Sequence, residues 1–296
     1  MFANNLTRAA SQVEAYLSDE LDDSATPERL RQAMRHAALG GGKRLRPFLV
    51  LESAALFGTP AQNALATAAA LECVHCYSLV HDDLPAMDND TIRRGQPTVW
   101  AAFDDWTAIL AGDALLTLAF ELLTRPGNGL DPRTQAALCS LLAQASGRAG
   151  MVGGQCFDLE AGKLGQPATP DRAHISRLQA MKTGALIRFA CEAGAVLGGA
   201  TSDQQNQLRS FGEHLGRAFQ IADDLLDAEG DAETVGKATG KDAEAGKATL
   251  VGLLGIARSR EELGRTHQAA CEALEQFGAK ADTLRAAADY VVSRNQ

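Results

Sequence analysis

The chain has 296 residues, of which 46% are hydrophobic, and its 37 acidic and 28 basic residues give a formal net charge of −9. A chain of this length and hydrophobic content can bury a sizeable core. The net negative charge argues against nucleic acid or an anionic membrane as a partner. A phosphate-bearing substrate would therefore have to be attracted locally, by a metal ion or by a few well-placed cations.

Neither a membrane span nor an export signal is predicted. The longest uncharged run, residues 53–71, is interrupted by glycine, proline and polar residues and does not resemble a spanning helix. The N-terminal segment is acidic and has no apolar signal-like core, which argues against a secretory or transit peptide. The six cysteines are scattered, and no second pair follows Cys73 and Cys76 at zinc-site spacing. They predict reduced core thiols in a cytoplasmic protein.

Hydrophobic residues recur at helical spacing along most of the chain. In chain order, the helical stripes cover residues 6–21, 63–80, 110–122, 134–146, 172–197, 204–227, 250–276 and 282–293. Short glycine- and proline-containing loops separate them, and no convincing strand pattern occurs. The sequence predicts one all-α domain over residues 1–296, a bundle of about ten helices. Helices at 64–80, 177–199 and 215–227 are apolar or small nearly all round and are expected inside the bundle.

Two aspartate groups follow apolar helical runs. The first is Asp82-Asp83-Leu84-Pro85-Ala86-Met87-Asp88, and the second is Asp223-Asp224-Leu225-Leu226-Asp227. Positions three and four apart share a helix face, so Asp227 is expected beneath both Asp223 and Asp224. Clustered carboxylates repel unless a cation relieves them, and Mg²⁺ prefers carboxylate oxygen together with water and substrate phosphate. The alternative is that each group is a solvated helix end. The presence of two such groups favours instead two sets of carboxylates that bind a metal-bound polyphosphate between them.

A glycine-rich basic segment, GGGKRLRP at residues 40–47, lies just before a predicted helix, and Pro47 suits the first turn of that helix. Glycines let the backbone approach a ligand, and a helix N-terminus attracts anions. Lys43 and Arg46 add cationic donors. An ordinary solvated loop is the alternative for this segment by itself.

More basic residues follow each aspartate group. Arg93 and Arg94 come soon after the first, and adjacent arginines repel unless anions bridge them. After the second, Lys237 and Lys247 lie in two Gly-Lys-Ala-Thr segments whose spacing does not match a phosphate-binding loop. A lysine-bearing segment beside a carboxylate group favours instead a lid that closes over phosphate.

Seven segments of the chain form a recognisable series: GGGKRLRP (40–47), LECVHCYSLVHDDLPAMDNDTIRRG (71–95), GDALL (112–116), MVGGQCFDL (151–159), KTGAL (182–186), GRAFQIADDLLD (216–227) and GKATGKDAEAGK (236–247). In this order they resemble the trans-isoprenyl diphosphate synthases, with the bacterial farnesyl diphosphate synthases as the nearest group. The resemblance implies an all-α fold around a central cavity and a homodimer. It implies Mg²⁺-dependent head-to-tail condensation of isopentenyl diphosphate with dimethylallyl or geranyl diphosphate, giving (2E,6E)-farnesyl diphosphate.

The positions of this chain that match the family's motifs imply which residues form the site. The implied ligands of Mg²⁺, three ions per active site, are Asp82, Asp83, Asp88, Asp223, Asp224 and Asp227. The implied isopentenyl diphosphate ligands are Lys43, Arg46, His75 and Arg94. The implied allylic diphosphate ligands are Arg93, Lys182, Lys237 and Lys247, and Thr183 and Gln220 line the site near the forming cation.

Tyr77 bears on the length of the product. It precedes Asp82 by five residues, which is about 7.5 Å along a helix axis. An aromatic ring at that depth, with the small Ser78 beside it, would close a cavity one or two prenyl units below the ionising carbon. This predicts a farnesyl product, with geranylgeranyl or geranyl diphosphate synthase as the alternative.

Three other classes fit less well. A class I terpene cyclase has no need of a second diphosphate pocket, and its second metal motif usually combines Asn or Asp with Ser or Thr and Glu, whereas residues 223–227 read DDLLD. A non-catalytic subunit predicts damaged aspartate groups, and both are intact. His81, beside the first group, could indicate a His-Asp phosphohydrolase, but no further histidine has matching helical spacing.

Overall fold

The structure, a computed structural model, describes residues 2–229 and 249–293. The described residues are predominantly helical, which confirms the all-α prediction. The chain forms two compact units, Met1–Ser140 with Val196–Gly199, and Leu141–Ala195 with Ala200–Gln296. One domain over residues 1–296 stays a prediction.

The first unit is organised around one buried helix. Its elements are α1 (Phe2–Glu20), α2 (Glu28–Leu39), α3 (Leu45–Ala55), α4 (Ala61–Asp82), β1 (Ile92–Arg93), β2 (Gln96–Pro97), α5 (Val99–Ala102) and α6 (Asp105–Thr124). Helix α4 packs against α1, α2, α3 and α6. Its Ala68, Ala69 and Ala70 are fully buried, and such small side chains let neighbouring helices approach closely. The prediction that 64–80 lies inside the bundle is confirmed.

The second unit is organised around the longest helix. The remaining elements are α7 (Pro132–Ser146), α8 (Met151–Leu164), α9 (Arg172–Gln179), a π-helical turn (Ala180–Gly184), α10 (Ala185–Leu197), α11 (Ser202–Glu229), α12 (Leu250–Leu254), α13 (Ile256–Glu272), a 3₁₀ segment (Glu275–Ala281) and α14 (Asp282–Ser293). Helices α7 and α10 have residues in both units. Helix α11 packs against the π-helical turn, α12, α13 and α14.

Side-chain caps fix where two helices of the second unit begin. The Asp171 carboxylate accepts a hydrogen bond from the backbone N–H of His174 at 2.8 Å. The Thr249 hydroxyl accepts one from the backbone N–H of Gly252 at 3.0 Å. Such caps satisfy donors that have no partner within the helix. They set the starts of α9 and α12, which lead to the site described below.

Two glycines bring the π-helical turn into backbone contact with its neighbours. A Cβ on Gly154 of α8 would lie 2.2 Å from the backbone nitrogen of Lys182. A Cβ on Gly216 of α11 would lie 2.8 Å from the Cα of Gly184. Both distances are shorter than atoms tolerate, so α8 and α11 can approach the turn only because these residues lack a side chain.

The cysteines are free thiols, in agreement with the sequence prediction, but they are not all in the core. Cys73, Cys76 and Cys191 are buried, whereas Cys156 is exposed on α8. Helix α8 has an exposed side at that position, and it lies outside the helical stripes that the sequence predicts.

Helix α6 has an apolar surface that nothing in the first unit covers. Among the described residues it is the one helix long and apolar enough, by length and composition, to cross a membrane, and half of its most apolar window is buried. The buried side packs on α2 and α4. The other side exposes Trp106, Ile109 and Leu110 by 56%, 44% and 48%. A contiguous exposed apolar face of this kind is typical of an interaction surface.

The Gly154 contact makes a prediction about stability. Gly154→Ala should lower the free energy of unfolding by about 1–3 kcal/mol, because the added methyl group collides with the Lys182 backbone. Gly162 of the same helix is the matched control, since a Cβ there meets nothing within 4 Å. Gly162→Ala should raise stability by about 0.5–1 kcal/mol through helix propensity. Urea unfolding of both variants measures this, and equal effects would contradict the close approach.

Candidate active site

The first aspartate group lies at the C-terminal end of α4. The helix ends at Asp82, and the backbone N–H of Asp88 donates to the Asp82 carbonyl at 2.9 Å. Asp83 is only 3% exposed. Arg93 binds its carboxylate through Nε, at 2.8 and 3.0 Å from the two oxygens, and through Nη2 at 2.5 Å. Burial raises the pKa of Asp83, and the hydrogen bonds from Arg93 oppose that rise.

The hairpin that carries Arg93 differs from the sequence prediction, which contains no strand. Strands β1 and β2 have two residues each, and Arg94 and Gly95 between them have φ of 52° and 76°. Two successive positive φ values are typical of a tight hairpin turn. The turn directs Arg94 to the Gly41 carbonyl, to which it donates a hydrogen bond. Strands this short have no periodicity to detect.

The glycine-rich basic segment contacts the Arg94 side chain. Gly42 has a φ of 127°, and a Cβ on it would lie 2.6 Å from a guanidinium nitrogen of Arg94. Glycine is therefore needed where the arginine crosses the loop. Arg46 is half-buried in the first turn of α3, whereas Lys43 is exposed. The hairpin and the segment together bring basic residues from two distant parts of the sequence to one place.

His75 lies on α4 beside these arginines. Desolvation of its imidazole lowers the pKa well below the ordinary value of 6.5, and the positive charges of Arg46 and Arg94 lower it further. The ring is therefore neutral at neutral pH. Two other predicted isopentenyl diphosphate ligands, Arg46 and Arg94, thus lie within electrostatic reach of His75.

The two residues predicted to set product length lie on the same helix. The Tyr77 ring is 6% exposed and meets His81 edge-on, with ring centroids 5.7 Å apart. The Ser78 hydroxyl donates to the His75 carbonyl at 2.8 Å. His81 Nε2 lies 3.0 Å from the Ile109 carbonyl. That contact gives His81 a structural partner on α6.

The second aspartate group lies near the end of α11, and one of its members is turned into the protein. Asp224 is 3% exposed. Its carboxylate accepts hydrogen bonds from Gln179 Nε2 at 2.8 Å, Gln220 Nε2 at 2.9 Å and the Leu250 backbone at 3.3 Å. Its two neighbours in the group are half-buried. The three carboxylates therefore have different surroundings, where helical spacing alone predicted one shared face.

The π-helical turn carries two of the predicted site residues, Lys182 and Thr183. Lys182 Nζ forms an ion pair with Asp158 Oδ2 at 2.6 Å. The Thr183 hydroxyl donates to Gln220 Oε1 at 3.0 Å. The sequence predicts a helical stripe over 172–197, and that periodicity does not reveal the widened turn within it. Such π-helical turns occur frequently at functional sites.

Carboxylates at the two helix ends are suitable donors for Mg²⁺. Asp82, Asp223 and Asp227 are half-buried and Asp88 is exposed, so a hydrated cation can reach them. Within residues 2–229 and 249–293, no three His, Cys, Asp or Glu side chains form by themselves a group that could hold a metal. Mg²⁺ usually keeps water and substrate phosphate among its ligands, so the carboxylates at either helix end would supply only part of its coordination.

Two residues of this site have no role in the sequence analysis. Asp158 holds Lys182 across 24 positions of sequence, and Gln179 holds Asp224 across 45. Asp158 lies in the conspicuous segment MVGGQCFDL, but spacing does not identify a partner so far along the chain. The predicted ligands that lie outside the described residues are Lys237 and Lys247.

Comparison with known proteins agrees with this fold and these segments. The family model described as Polyprenyl synthetase matches residues 27–291. The farnesyl diphosphate synthase of Geobacillus stearothermophilus is 39% identical over 291 residues, which cover 98% of this chain and 97% of the relative. A geranylgeranyl pyrophosphate synthase of Arabidopsis thaliana is 39% identical over 299 residues, 99% of this chain and 82% of the relative.

A solved structure extends the likeness to three dimensions. The crystal structure of an FPP/GFPP synthase from Zymomonas mobilis superposes with a TM-score of 0.88 at 43% identity, covering 99% of this chain and 100% of that one. The chain belongs to the polyprenyl synthetase family. It is a prenyltransferase, and its reaction class is prenyl chain elongation. The family is generally metal-dependent.

The neutral state of His75 predicts a pH dependence of stability. In the unfolded chain its pKa returns to about 6.5. Below that pH the unfolded chain binds a proton that the folded protein does not, so stability falls by up to about 1.4 kcal/mol per pH unit. His75→Gln should therefore lose less stability than the parent between about pH 7.5 and about pH 5.5 in urea unfolding. An equal loss in both proteins would mean that folded His75 is protonated.

Proposed function

We propose that this prenyltransferase joins isopentenyl diphosphate head-to-tail to dimethylallyl or geranyl diphosphate and releases (2E,6E)-farnesyl diphosphate and diphosphate. The proposal rests on a basic pocket that we infer from two observations: Arg46 and Arg94 lie close enough to His75 for their charges to lower its pKa, and Arg94 donates to the Gly41 carbonyl in the segment that leads to Arg46. This pocket offers a second diphosphate a place of its own beside the first aspartate group. A class I terpene cyclase binds a single diphosphate and has no use for such a pocket.

Isopentenyl diphosphate is bound by the basic pocket together with Lys43. The guanidinium groups of Arg46 and Arg94 supply forked donors that match phosphate oxygens. The neutral ring of His75 donates one hydrogen bond without adding charge. The exposed ammonium group of Lys43 can turn toward the diphosphate once it is bound.

The allylic diphosphate is bound through the two aspartate groups and paired cations. The carboxylates that would hold the metal ions, three Mg²⁺ in the family pattern, are Asp82, Asp83, Asp88, Asp223, Asp224 and Asp227. Bound Mg²⁺ would supply Lewis-acid stabilisation of the departing diphosphate. Arg93 and Lys182 are held by Asp83 and Asp158, which keeps them oriented before substrate binds. Lys237 and Lys247 complete the set of cations on the leaving group.

Thr183 and Gln220 stabilise the allylic cation that ionisation leaves behind. The hydroxyl of Thr183 donates to the Gln220 carbonyl at 3.0 Å, and the Gln220 amide donates to Asp224 at 2.9 Å. These hydrogen bonds hold the Thr183 hydroxyl and the Gln220 carbonyl in place. Their oxygens can stabilise a nearby positive charge without reacting with it. Condensation follows in a site that excludes water. The final proton passes to the released diphosphate, so no side chain is assigned as a dedicated base.

A geranylgeranyl product is the alternative within the same reaction. The similarity to a geranylgeranyl pyrophosphate synthase at 39% identity supports it. Tyr77 supports farnesyl instead, because its ring is buried and precedes Asp82 by five residues on the same helix, the depth at which a bulky side chain would stop a longer chain.

The product assay tests the reaction. Purified protein is incubated with isopentenyl diphosphate, with dimethylallyl, geranyl or farnesyl diphosphate in turn, and with Mg²⁺ or EDTA, and dephosphorylated products are analysed by mass spectrometry. We expect farnesol from the two shorter primers, loss of product with EDTA, and no extension of farnesyl diphosphate.

Replacing one aspartate tests the proposed metal ligands. Asp82→Ala should lose several orders of magnitude in rate. Asp113→Ala, an exposed carboxylate on α6, is the control and should keep its rate.

Replacing Tyr77 tests product length. Tyr77→Ala should extend the product to geranylgeranyl diphosphate, since removing the ring opens space below the ionising carbon. Tyr77→Phe retains the ring and should retain farnesyl. Product chain length from geranyl diphosphate is the measurement. The same product distribution in all three proteins would show that another residue limits the chain.

The protein acts as a cytoplasmic homodimer. Free cysteines support the location, because the cytoplasm keeps thiols reduced. The exposed face of α6 supports the dimer, since Trp106, Ile109 and Leu110 form an apolar surface on a helix whose other side is already packed. A second copy that covers this surface explains why the helix is apolar on both sides.

The proposed dimer predicts that one negative charge added to the exposed face of α6 will prevent association. Ile109→Glu should convert the protein to monomer in sedimentation velocity, because burying an unpaired carboxylate opposes association. Thr117→Glu, farther along the exposed side of α6, is a control with the same added charge and a smaller expected effect. A parent protein that sediments as a monomer would contradict the proposal.

A further inference from the structure

A buried arginine lies between the two basic residues proposed to bind isopentenyl diphosphate. Arg44 separates Lys43 from Arg46, and its guanidinium is fully shielded from solvent. Its backbone has a φ of 50°, in the left-handed region. Non-glycine residues adopt this conformation rarely, and it persists where the surroundings impose it. The side chain therefore points into the first unit, whereas that of Lys43 is exposed.

Three helices hold this guanidinium. It donates to Glu72 of α4 at 2.5 Å and to the Ala38 carbonyl at the end of α2 at 2.6 Å. It also lies 3.2 Å from Glu14 of α1. Glu72 is itself 2% exposed, so both charges of the main pair are out of water. Such a pair tolerates little displacement, because either charge left alone in the interior is strongly unfavourable.

The position of Glu72 connects this pair to ligand binding. Glu72 lies three residues before His75 on α4, so the two occupy neighbouring positions on the helix surface. The pair therefore joins the basic segment to the helix that carries the histidine. Sliding the segment along α4 would break this buried pair, which is strongly unfavourable.

We propose that Arg44 is a positioning residue for isopentenyl diphosphate, and that its buried pair with Glu72 holds Lys43 and Arg46 in register with His75. The inference rests on the proposed function. It assigns Arg44 no contact with substrate. Loss of the pair should weaken the binding of isopentenyl diphosphate while leaving the allylic substrate and the chemical step nearly unaffected.

The test separates binding of the two substrates. Glu72→Gln keeps the size of the side chain and removes its charge. We expect it to raise both KM and Kd for isopentenyl diphosphate about tenfold. KM for geranyl diphosphate and kcat should change by less than about twofold. Kd is measured calorimetrically with isopentenyl diphosphate alone, so this readout needs no turnover.

Two further variants distinguish a specific loss of isopentenyl diphosphate binding from a general loss of structure. The double variant Arg44→Met with Glu72→Met replaces the buried charges by apolar side chains and should retain a near-parental Tm. We still expect it to show the raised KM for isopentenyl diphosphate, because the directional pair is gone. Glu20→Gln removes the 2.6 Å ion pair with Arg125 in the same unit. It should leave both KM values at those of the parent.

Several results would overturn the proposal. They are a parental KM for isopentenyl diphosphate in Glu72→Gln, a parental KM in the double variant, and an equal rise in KM for both substrates. Failure of the proposed function is seen separately, because the unmodified protein would then neither bind nor condense isopentenyl diphosphate.

Discussion

A carboxylate removed from water must receive hydrogen bonds from the protein, and each of the two units contains such a group at the end of a central helix. In the first, Asp83 receives three contacts from Arg93, which fixes the hairpin beside α4. In the second, Asp224 receives amide donors from Gln179 and Gln220, which fixes α9 beside α11. The same constraint recurs where Glu72 accepts from Arg44 and where Asp158 accepts from Lys182.

The same pairings prepare the protein for a polyanionic substrate. Arg93 and Lys182 are each neutralised by a carboxylate, so the cations are held in place without being exposed as unpaired buried charges. His75 is neutral because neighbouring arginines and desolvation oppose its protonation. The neutral histidine therefore adds no positive charge to the repulsion between its arginine neighbours. The π-helical turn adds oriented dipoles without adding charge.

Sequence reasoning performs well where a signal is local. The buried helix at 64–80 follows from small and apolar residues on all sides, and the glycine-rich segment before α3 follows from its composition. It performs poorly where a structure is too short to have a period. The two-residue strands around Arg94 and the single π-helical turn at Lys182 both depend on backbone angles that neighbouring elements impose.

The sequence by itself determined the helical architecture, the two aspartate groups and the basic residues near them, because helical periodicity and motif spacing are properties of neighbouring positions. Only the tertiary structure decided which charges pair. Arg44 with Glu72 and Lys182 with Asp158 are 28 and 24 positions apart in sequence. A buried charge accepts whichever partner the packing of helices brings within hydrogen-bonding distance, and that packing is set by the whole chain rather than by any segment of it.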